Sequence, residues 1–356
     1  MSDNQGIQIR LAQNSDQQAW NRYVNEHPKA TPYHNFAWVR SVQAAYHHKN
    51  VSVLAYINQN GTNKITGILP ATIMQIPFKG SQLCSLPFCD VGYALADNEE
   101  IRDLLLAELQ TINSQVNKYE YRDSEHRVLA QDKPGQKVRM ILTLPDSSET
   151  LMAGFKSKLR SQIRKAEKNG LRFETGCSQQ LLDHFYQVFV HNMRKLGSPV
   201  HSKAWYQCLF EQFNSEMLIS VIYSDDKPIG AGIVLINKDK ACIPWASTLA
   251  EFNRLAPNML LYWSLLEYVA DNGIKEFDFG RSTFGEGTFK FKQQWGAEPI
   301  ALNWYLPNQV NSDENANLAA NVEPGKIRAM VENTWSVLPL GLTTWLGPKV
   351  RKYISL

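Results

Sequence analysis

Phe277 to Gly296 reads FDFGRSTFGEGTFKFKQQWG, and Gly280 and Gly285 stand at the spacing of a phosphate-binding loop. A P-loop next needs a lysine to reach the phosphates and a hydroxyl to hold magnesium. The residues there are Glu286 and Gly287, so nucleotide hydrolysis of that kind is excluded. The third glycine of a dinucleotide loop is likewise replaced, by Lys290. What remains is side-chain chemistry, with Asp278, Arg281 and Ser282 at the carboxyl end of an apolar strand, where ligands of open α/β sheets bind. An ionised Asp278 in a covered strand needs a partner, and Arg281 and Lys290 are the nearest basic candidates in sequence.

Two more regions suit an anion. Arg254 and Pro257-Asn258 lie between the strand CIPWAST and a helix; the unbonded N–H groups of a helix start, with the dipole, favour negative charge. Further upstream, Phe155, Leu159, Ile163 and Ala166 form one narrow apolar stripe at helical spacing, the last three inside the basic helix 156–169. The other faces carry Lys156, Lys158, Arg160, Arg164, Lys165 and Lys168 against a single acid, Glu167. A solvated surface helix is the plain explanation, and contact with phosphates or an anionic lipid surface is the functional one.

Other catalytic patterns are missing. The chain has no G-x-S-x-G, no H-E-x-x-H and no deaminase-type zinc pattern. His184, His191 and His201 are scattered through helical patterns without an identifiable nucleophile partner. The five cysteines show no metal-ligand spacing, and Cys84 and Cys89 sit in an apolar stretch that suits buried, reduced thiols. No metal is expected.

The elements that must position these residues repeat once. Two helices, a hairpin, a longer helix and a strand occur over residues 16–123 and again over 179–279, with a strand at 7–11 opening the first half and a third strand at 241–248 in the second. GILPATIM answers GAGIVLI, and DLLLAELQTINSQVNKYEYRD answers LLYWSLLEYVADNGIKEFDFG. The period exceeds about 100 residues, which indicates two similar domains and no solenoid. We place the first at 1–135 and the second, with the basic helix, at 136–306. A polar linker follows at 307–325, then an apolar and basic tail at 326–356 containing Trp335, Trp345, Lys349, Arg351 and Lys352. Such a tail packs back onto the body or makes shallow contact with a membrane.

A chain of 356 residues with 44% hydrophobic and 20% charged composition is a folded protein of about two domains. Its net charge of +3 is too mild to argue for nucleic acid. The polar amino terminus lacks the apolar core of a signal peptide, and no stretch approaches the ~20 apolar residues of a bilayer span. The expected location is cytoplasmic, free or at the inner face of the cytoplasmic membrane.

Several strings together, KLRSQIRKAEKNGL, NMRKLGSPV, PWASTLAEFNRLAPNMLLYWSLLEY and FDFGRSTFGEGTFKFKQQWGAEP, resemble the FemAB-like branch of the GNAT (BioF2-like acetyltransferase) superfamily. The likeness is to the group associated with exosortase/PEP-CTERM and exopolysaccharide loci, and SLPFCDVGYALAD and LPLGLTTWLGP share it. The resemblance implies an α/β (α+β) fold of tandem GNAT-like acyltransferase domains, each a mixed sheet flanked by helices. It implies transfer of an acyl or aminoacyl group to the nitrogen or oxygen of a sugar or lipid-linked saccharide during cell-envelope assembly. The donor would be acyl-coenzyme A or an aminoacyl-tRNA, with no tightly bound cofactor. EFNRLAPN keeps Arg254 but lacks the glycines of the usual Q/R-x-x-G-x-G/A pyrophosphate loop. The long helical arm that meets transfer RNA in some relatives is also missing, which ranks that donor second.

On this footing Asp278, Ser282 and Asp90 are the candidate catalytic residues, and Arg254 and Asn258 the candidate donor contacts. Trp245, Arg281, Lys290, Lys158, Arg160 and Arg164 are the candidate substrate contacts. The competing expectation is a catalytically silent GNAT-like module that recognises polysaccharide intermediates or docks to a membrane-bound biosynthetic partner.

Overall fold

The computed structural model describes residues 6–59, 61–123, 135–305 and 326–356. The linker expected at 307–325, and Asn60 of the expected hairpin turn, lie outside the described residues. The chain divides into two compact units. One takes the described residues up to 123 with 301–305 and 353–356, and the other takes 135–300 with 326–352.

The first unit begins with β1 (Gln8–Leu11), α1 (Gln17–Glu26), α2 (Phe36–Tyr46), β2 (Lys49–Asn50) and β3 (Val53–Gln59). It continues with β4 (Thr62–Leu69), β5 (Thr72–Ile76), β6 (Gly80–Cys84), β7 (Leu95–Ala96), α3 (Glu99–Asn113) and β8 (Lys118–Asp123). β1-β3-β4-β7 form one sheet and β8-β6-β5-β2 the body of another. β4 and β5 are parted at Pro70-Ala71. α3 carries the chain from the β6 side to β8, so β6 and β8 are parallel, as a helical crossover requires. Asn98 caps α3 by accepting from the Ile101 N–H at 2.9 Å. A Cβ on Gly67 in β4 would lie 2.6 Å from Ile101 of α3, so glycine lets the helix sit close on the strand.

The second unit runs β9 (Lys137–Thr143), α4 (Ser148–Gly154), α5 (Ser157–Lys168), β10 (Leu171–Gly176), α6 (Gln179–Lys195), α7 (Lys203–Phe213), β11 (Met217–Ser224) and β12 (Lys227–Asn237). β13 (Lys240–Thr248), α8 (Pro257–Asp271), β14 (Glu276–Thr283), α9 (Gly287–Gln293) and β15 (Glu298–Ala301) follow. Its strands form one seven-stranded sheet in the order β10-β11-β12-β13-β14-β9-β15. α8 is apolar nearly all round and buries Leu261, Leu265 and Val269 with Ile222, Val234 and Ile243 in the main core. Gly232 of β12 repeats the arrangement of Gly67, since its Cβ would stand 3.3 Å from Leu265 of α8. The duplication read from GILPATIM and GAGIVLI thus has a packing cause: in each unit a strand glycine admits the crossover helix.

β16 (Asn303–Tyr305) pairs antiparallel with β8 and completes the second sheet of the first unit. α10 (Lys326–Val337) and α11 (Leu340–Arg351) pack on α6 of the second unit. Arg194 Nε donates to the Leu338 carbonyl at 2.7 Å, and a Cβ on Gly347 would lie 2.9 Å from the Val200 nitrogen. The tail therefore packs back, and its last residues do so in the first unit. There the Phe88 N–H donates to the Ser355 carbonyl at 2.6 Å, and Ser355 Oγ donates to Glu120 at 2.9 Å.

Candidate functional site

β13 and β14 are parallel because α8 crosses between them, and they pair over only three positions, Lys240 with Glu276, Ala241 with Phe277 and Cys242 with Asp278. Beyond Cys242 and Asp278 no ladder joins them. β13 continues along β12, and β14 continues along β9. Two parallel strands that part in this way expose backbone groups and side chains at their carboxyl ends, where a ligand can be received.

The parting coincides with an irregularity in β14. Its register against β9 shifts between Asp278 and Arg281, and Gly280 adopts φ 73°, a left-handed conformation that costs a residue with a Cβ. Asp278 holds this bulge. Its Oδ1 accepts from the Gly280 N–H at 2.8 Å, and its Oδ2 accepts from Arg139 Nε at 3.0 Å and Nη2 at 2.7 Å. Lys292, on α9, closes the far side by donating to the carbonyls of Gly280 at 3.1 Å and Arg281 at 2.8 Å. Asp278, Arg139 and Lys292 are all buried. The bulge re-aims Arg281 and Ser282, as such irregularities do beside functional sites.

These contacts correct two expectations. The partner of Asp278 is Arg139, which lies 139 positions away in sequence, and neither Arg281 nor Lys290. With both oxygens engaged, Asp278 is placed to position the loop, and the carboxylate offered by the sequence as a base is already committed. Lys290 points outward on α9, while Lys292 takes the buried place. Sequence reasoning missed Arg139 and Lys292. A lone arginine among Val138, Met140 and Leu142 in a covered strand was the available signal, because a buried charge demands a partner.

Ser282 is 3% exposed, and its Oγ has no hydrogen-bond partner among the described residues. A buried hydroxyl without a partner is uncommon and calls for an explanation. On the neighbouring strand Trp245 is buried with its ring centroid 5.0 Å from Tyr206 of α7, and Ser247 accepts from Asn192 Nδ2 at 3.0 Å. Arg254 is exposed in the 3-10 turn after β13, and Asn258 is half-buried in the first turn of α8. Ala256, with φ 60°, makes no side-chain cap on that helix. β13 and β14 run the same way, so Trp245, Arg254, Asn258, Arg281 and Ser282 collect at one end of the sheet.

Residues 153–293 match the acetyltransferase (GNAT) domain family. The GNAT match begins in α4 and ends with α9, so it spans the parted strands and the crossover helix. No curated protein matches the chain in sequence. Among solved structures, the crystal structure of FemX is similar at TM-score 0.64 and 14% identity, covering 85% of this chain and 98% of that one. The C-terminal domain of a putative lysylphosphatidylglycerol synthetase from Agrobacterium fabrum gives 0.53 and 12%, with 89% and 96% covered. L-PGS from Bacillus licheniformis gives 0.52 and 11%, with 88% and 97% covered. The likeness extends over both units, which establishes the tandem α/β fold.

Within the matched region the basic helix takes a different place from that expected. Asn169 Nδ2 donates to the Leu255 carbonyl at 3.3 Å, so the carboxyl end of α5 meets the start of α8. At 1.5 Å rise per residue, Lys158 and Arg160 stand about 14–17 Å back along α5. They are not gathered with Arg281 and Ser282. Arg160 Nη1 donates to the carbonyls of Ala153 at 3.1 Å and Phe155 at 2.6 Å, ending α4. With Arg164, Trp263 and Glu267 it lines an open depression of ≈ 610 Å³. Burial, then Asp271 and Glu167, hold Glu267 above the ordinary carboxylate range.

Asp90 belongs to the first unit, where its carbonyl accepts from Trp304 Nε1 at 3.1 Å. The equivalent strand end there is filled. Arg122, fully buried, donates to Glu120 at 2.9 Å from Nη2 and lies 4.8 Å from the Trp304 ring. Cys84 and Cys89 are buried free thiols beside it, and burial pushes the Cys84 thiol up to about 12.

Proposed function

We propose that this protein is an acyltransferase that moves an acyl or aminoacyl group onto an amine or hydroxyl of a sugar or lipid-linked saccharide during envelope assembly. The observation that carries the reading is the parting of β13 from β14 beside the unpartnered Ser282 hydroxyl, inside the GNAT match. In such a transfer the nucleophile's lone pair forms a bond to the donor carbonyl carbon, and the carbonyl oxygen gains negative charge. Collapse breaks the bond to the donor's sulfur or ester oxygen, and the nucleophile's proton passes by way of solvent to that leaving group. Ser282 Oγ supplies a donor for the developing oxyanion, preorganised because nothing else competes for it. Arg254 and the first turn of α8 suit the phosphates of a donor such as acyl-coenzyme A. A lipid-linked acceptor is the narrower choice, and one structure of similar fold is the C-terminal domain of a putative lysylphosphatidylglycerol synthetase.

Calorimetry with a panel of acyl-coenzyme A and aminoacyl-tRNA donors tests the reading, followed by label transfer to saccharide acceptors. Binding of one donor class and its loss in Arg254→Ala are expected. A second reading, a silent module that binds envelope intermediates, is favoured by the full commitment of the Asp278 carboxylate and by the missing glycines before α8. Absence of binding to every donor, with saccharide binding retained, would select it.

A further inference from the structure

Six of the thirteen large apolar side chains exposed among the described residues lie on α10 and α11: Met330, Val331, Val337, Leu342, Trp345 and Val350. Met330 and Val337 of α10, and Leu342 and Trp345 of α11, lie opposite the buried sides of their helices. On α10, Met330 and Val337 are seven apart, while Trp335 faces inward, 9% exposed. On α11, Leu342, Trp345 and Lys349 follow at intervals of three and four, while Thr343 and Gly347 are buried toward the body. The helices are fixed at their inner faces by the Arg194 bond to Leu338 and the close approach of Gly197 to Glu332. The outer faces are therefore presented on a fastened support.

The charge on this face has one sign. From Asn333 to the end of the chain there is no acidic residue, and Lys349 is exposed on α11, whereas Arg351 continues the inward row of Thr343 and Gly347 toward His201. Lys349 Nζ lies 3.4 Å from the centre of the Trp345 ring, so the ammonium and the indole are offered together. An amphipathic helix with tryptophan and aliphatic residues on one side and lysine at its margin seats in the headgroup region of a bilayer. Among the described residues no helix is long and apolar enough to cross a membrane, so contact through these faces is peripheral.

We infer that the outer faces of α10 and α11 form a docking surface for an anionic lipid bilayer. The inference rests on the exposed faces alone and stands or falls independently of the proposed transfer. Cosedimentation of the full chain with phosphatidylcholine vesicles, with and without phosphatidylglycerol, tests it. Binding to the anionic vesicles is expected, weakened by added salt. Lys349→Glu changes the face by two charges and lowers the partition about 30-fold. Trp345→Ser lowers it roughly tenfold or more. Both side chains are exposed, so the variants keep the wild-type melting curve. Ser282→Ala leaves vesicle binding as it is. Absence of binding to anionic vesicles, or wild-type binding by Trp345→Ser, overturns the inference. Concentration-dependent self-association that Trp345→Ser abolishes would instead assign the face to a second copy of the chain.

Discussion

Arg139 reaches Asp278 through two nitrogens, at 3.0 and 2.7 Å from the same carboxylate oxygen, and ties β9 to the bulge in β14. The pair is buried, with side-chain exposures of 2% and 6%. Removing one member of such a pair strands the other charge in a poor solvent and costs about 3–5 kcal/mol. Arg139→Ala and Asp278→Ala should each lose stability on that scale in urea titration. The double variant should lose less than the sum, because it strands no charge. Additive losses would show that the two do not depend on each other.

Gly280 is held by the other oxygen of Asp278, and its φ of 73° disfavours any residue with a Cβ. Gly280→Ala should cost about 1–2 kcal/mol. The strain falls where Arg281 and Ser282 are aimed, so transfer activity should drop further than the stability loss explains. Activity measured well below the melting temperature separates the two effects.

Ser282→Ala discriminates structure from chemistry. Deleting a buried hydroxyl that has no partner is neutral or slightly stabilising, so the melting temperature should hold or rise. Loss of an oxyanion donor, by contrast, costs about 10²–10³-fold in turnover. A stable variant with unchanged turnover would remove Ser282 from the site.

The repeated order of elements was legible in the sequence because both periodicities are strong and the punctuation is clear. Ser178, Ser202 and Asn98 cap the helices that they precede, and Gly170 follows α5. The parting of β13 and β14 was not legible, since strand pairing over three positions leaves no mark in local pattern. The partner of Asp278 was hidden for a related reason. Sequence proximity suggested Arg281 and Lys290, whereas the sheet order inserts β9 beside β14 and brings Arg139 from far upstream. Lys158 and Arg160 were overvalued as part of the same site because net charge along a helix says nothing of which end of its neighbour it meets. The two units also diverge at equivalent strand ends. Glu120, Arg122 and Trp304 fill the first, while the second retains the unpartnered Ser282.

His201 supplies a prediction with a defined sign. It is 2% exposed, with its ring 5.6 Å from Trp205 and nearly parallel to it. Burial, and then the charge of Arg351, hold its proton affinity well below the usual value of 6.5. The native state therefore keeps the imidazole neutral in conditions where the unfolded chain protonates it. Above about pH 6.5 both states are neutral and stability is insensitive to this group. As pH falls below that value the unfolded state takes up the proton alone, and stability should decline by up to about 1.4 kcal/mol per pH unit until the folded histidine titrates. Urea titrations of the wild type and His201→Gln between pH 7.5 and pH 5, roughly the range over which histidine changes charge, should diverge in slope. The glutamine variant should be the less stable at neutral pH, having lost packing on Trp205, and the less sensitive to acid. Equal slopes would show that His201 is protonated in the folded protein as readily as in the unfolded chain.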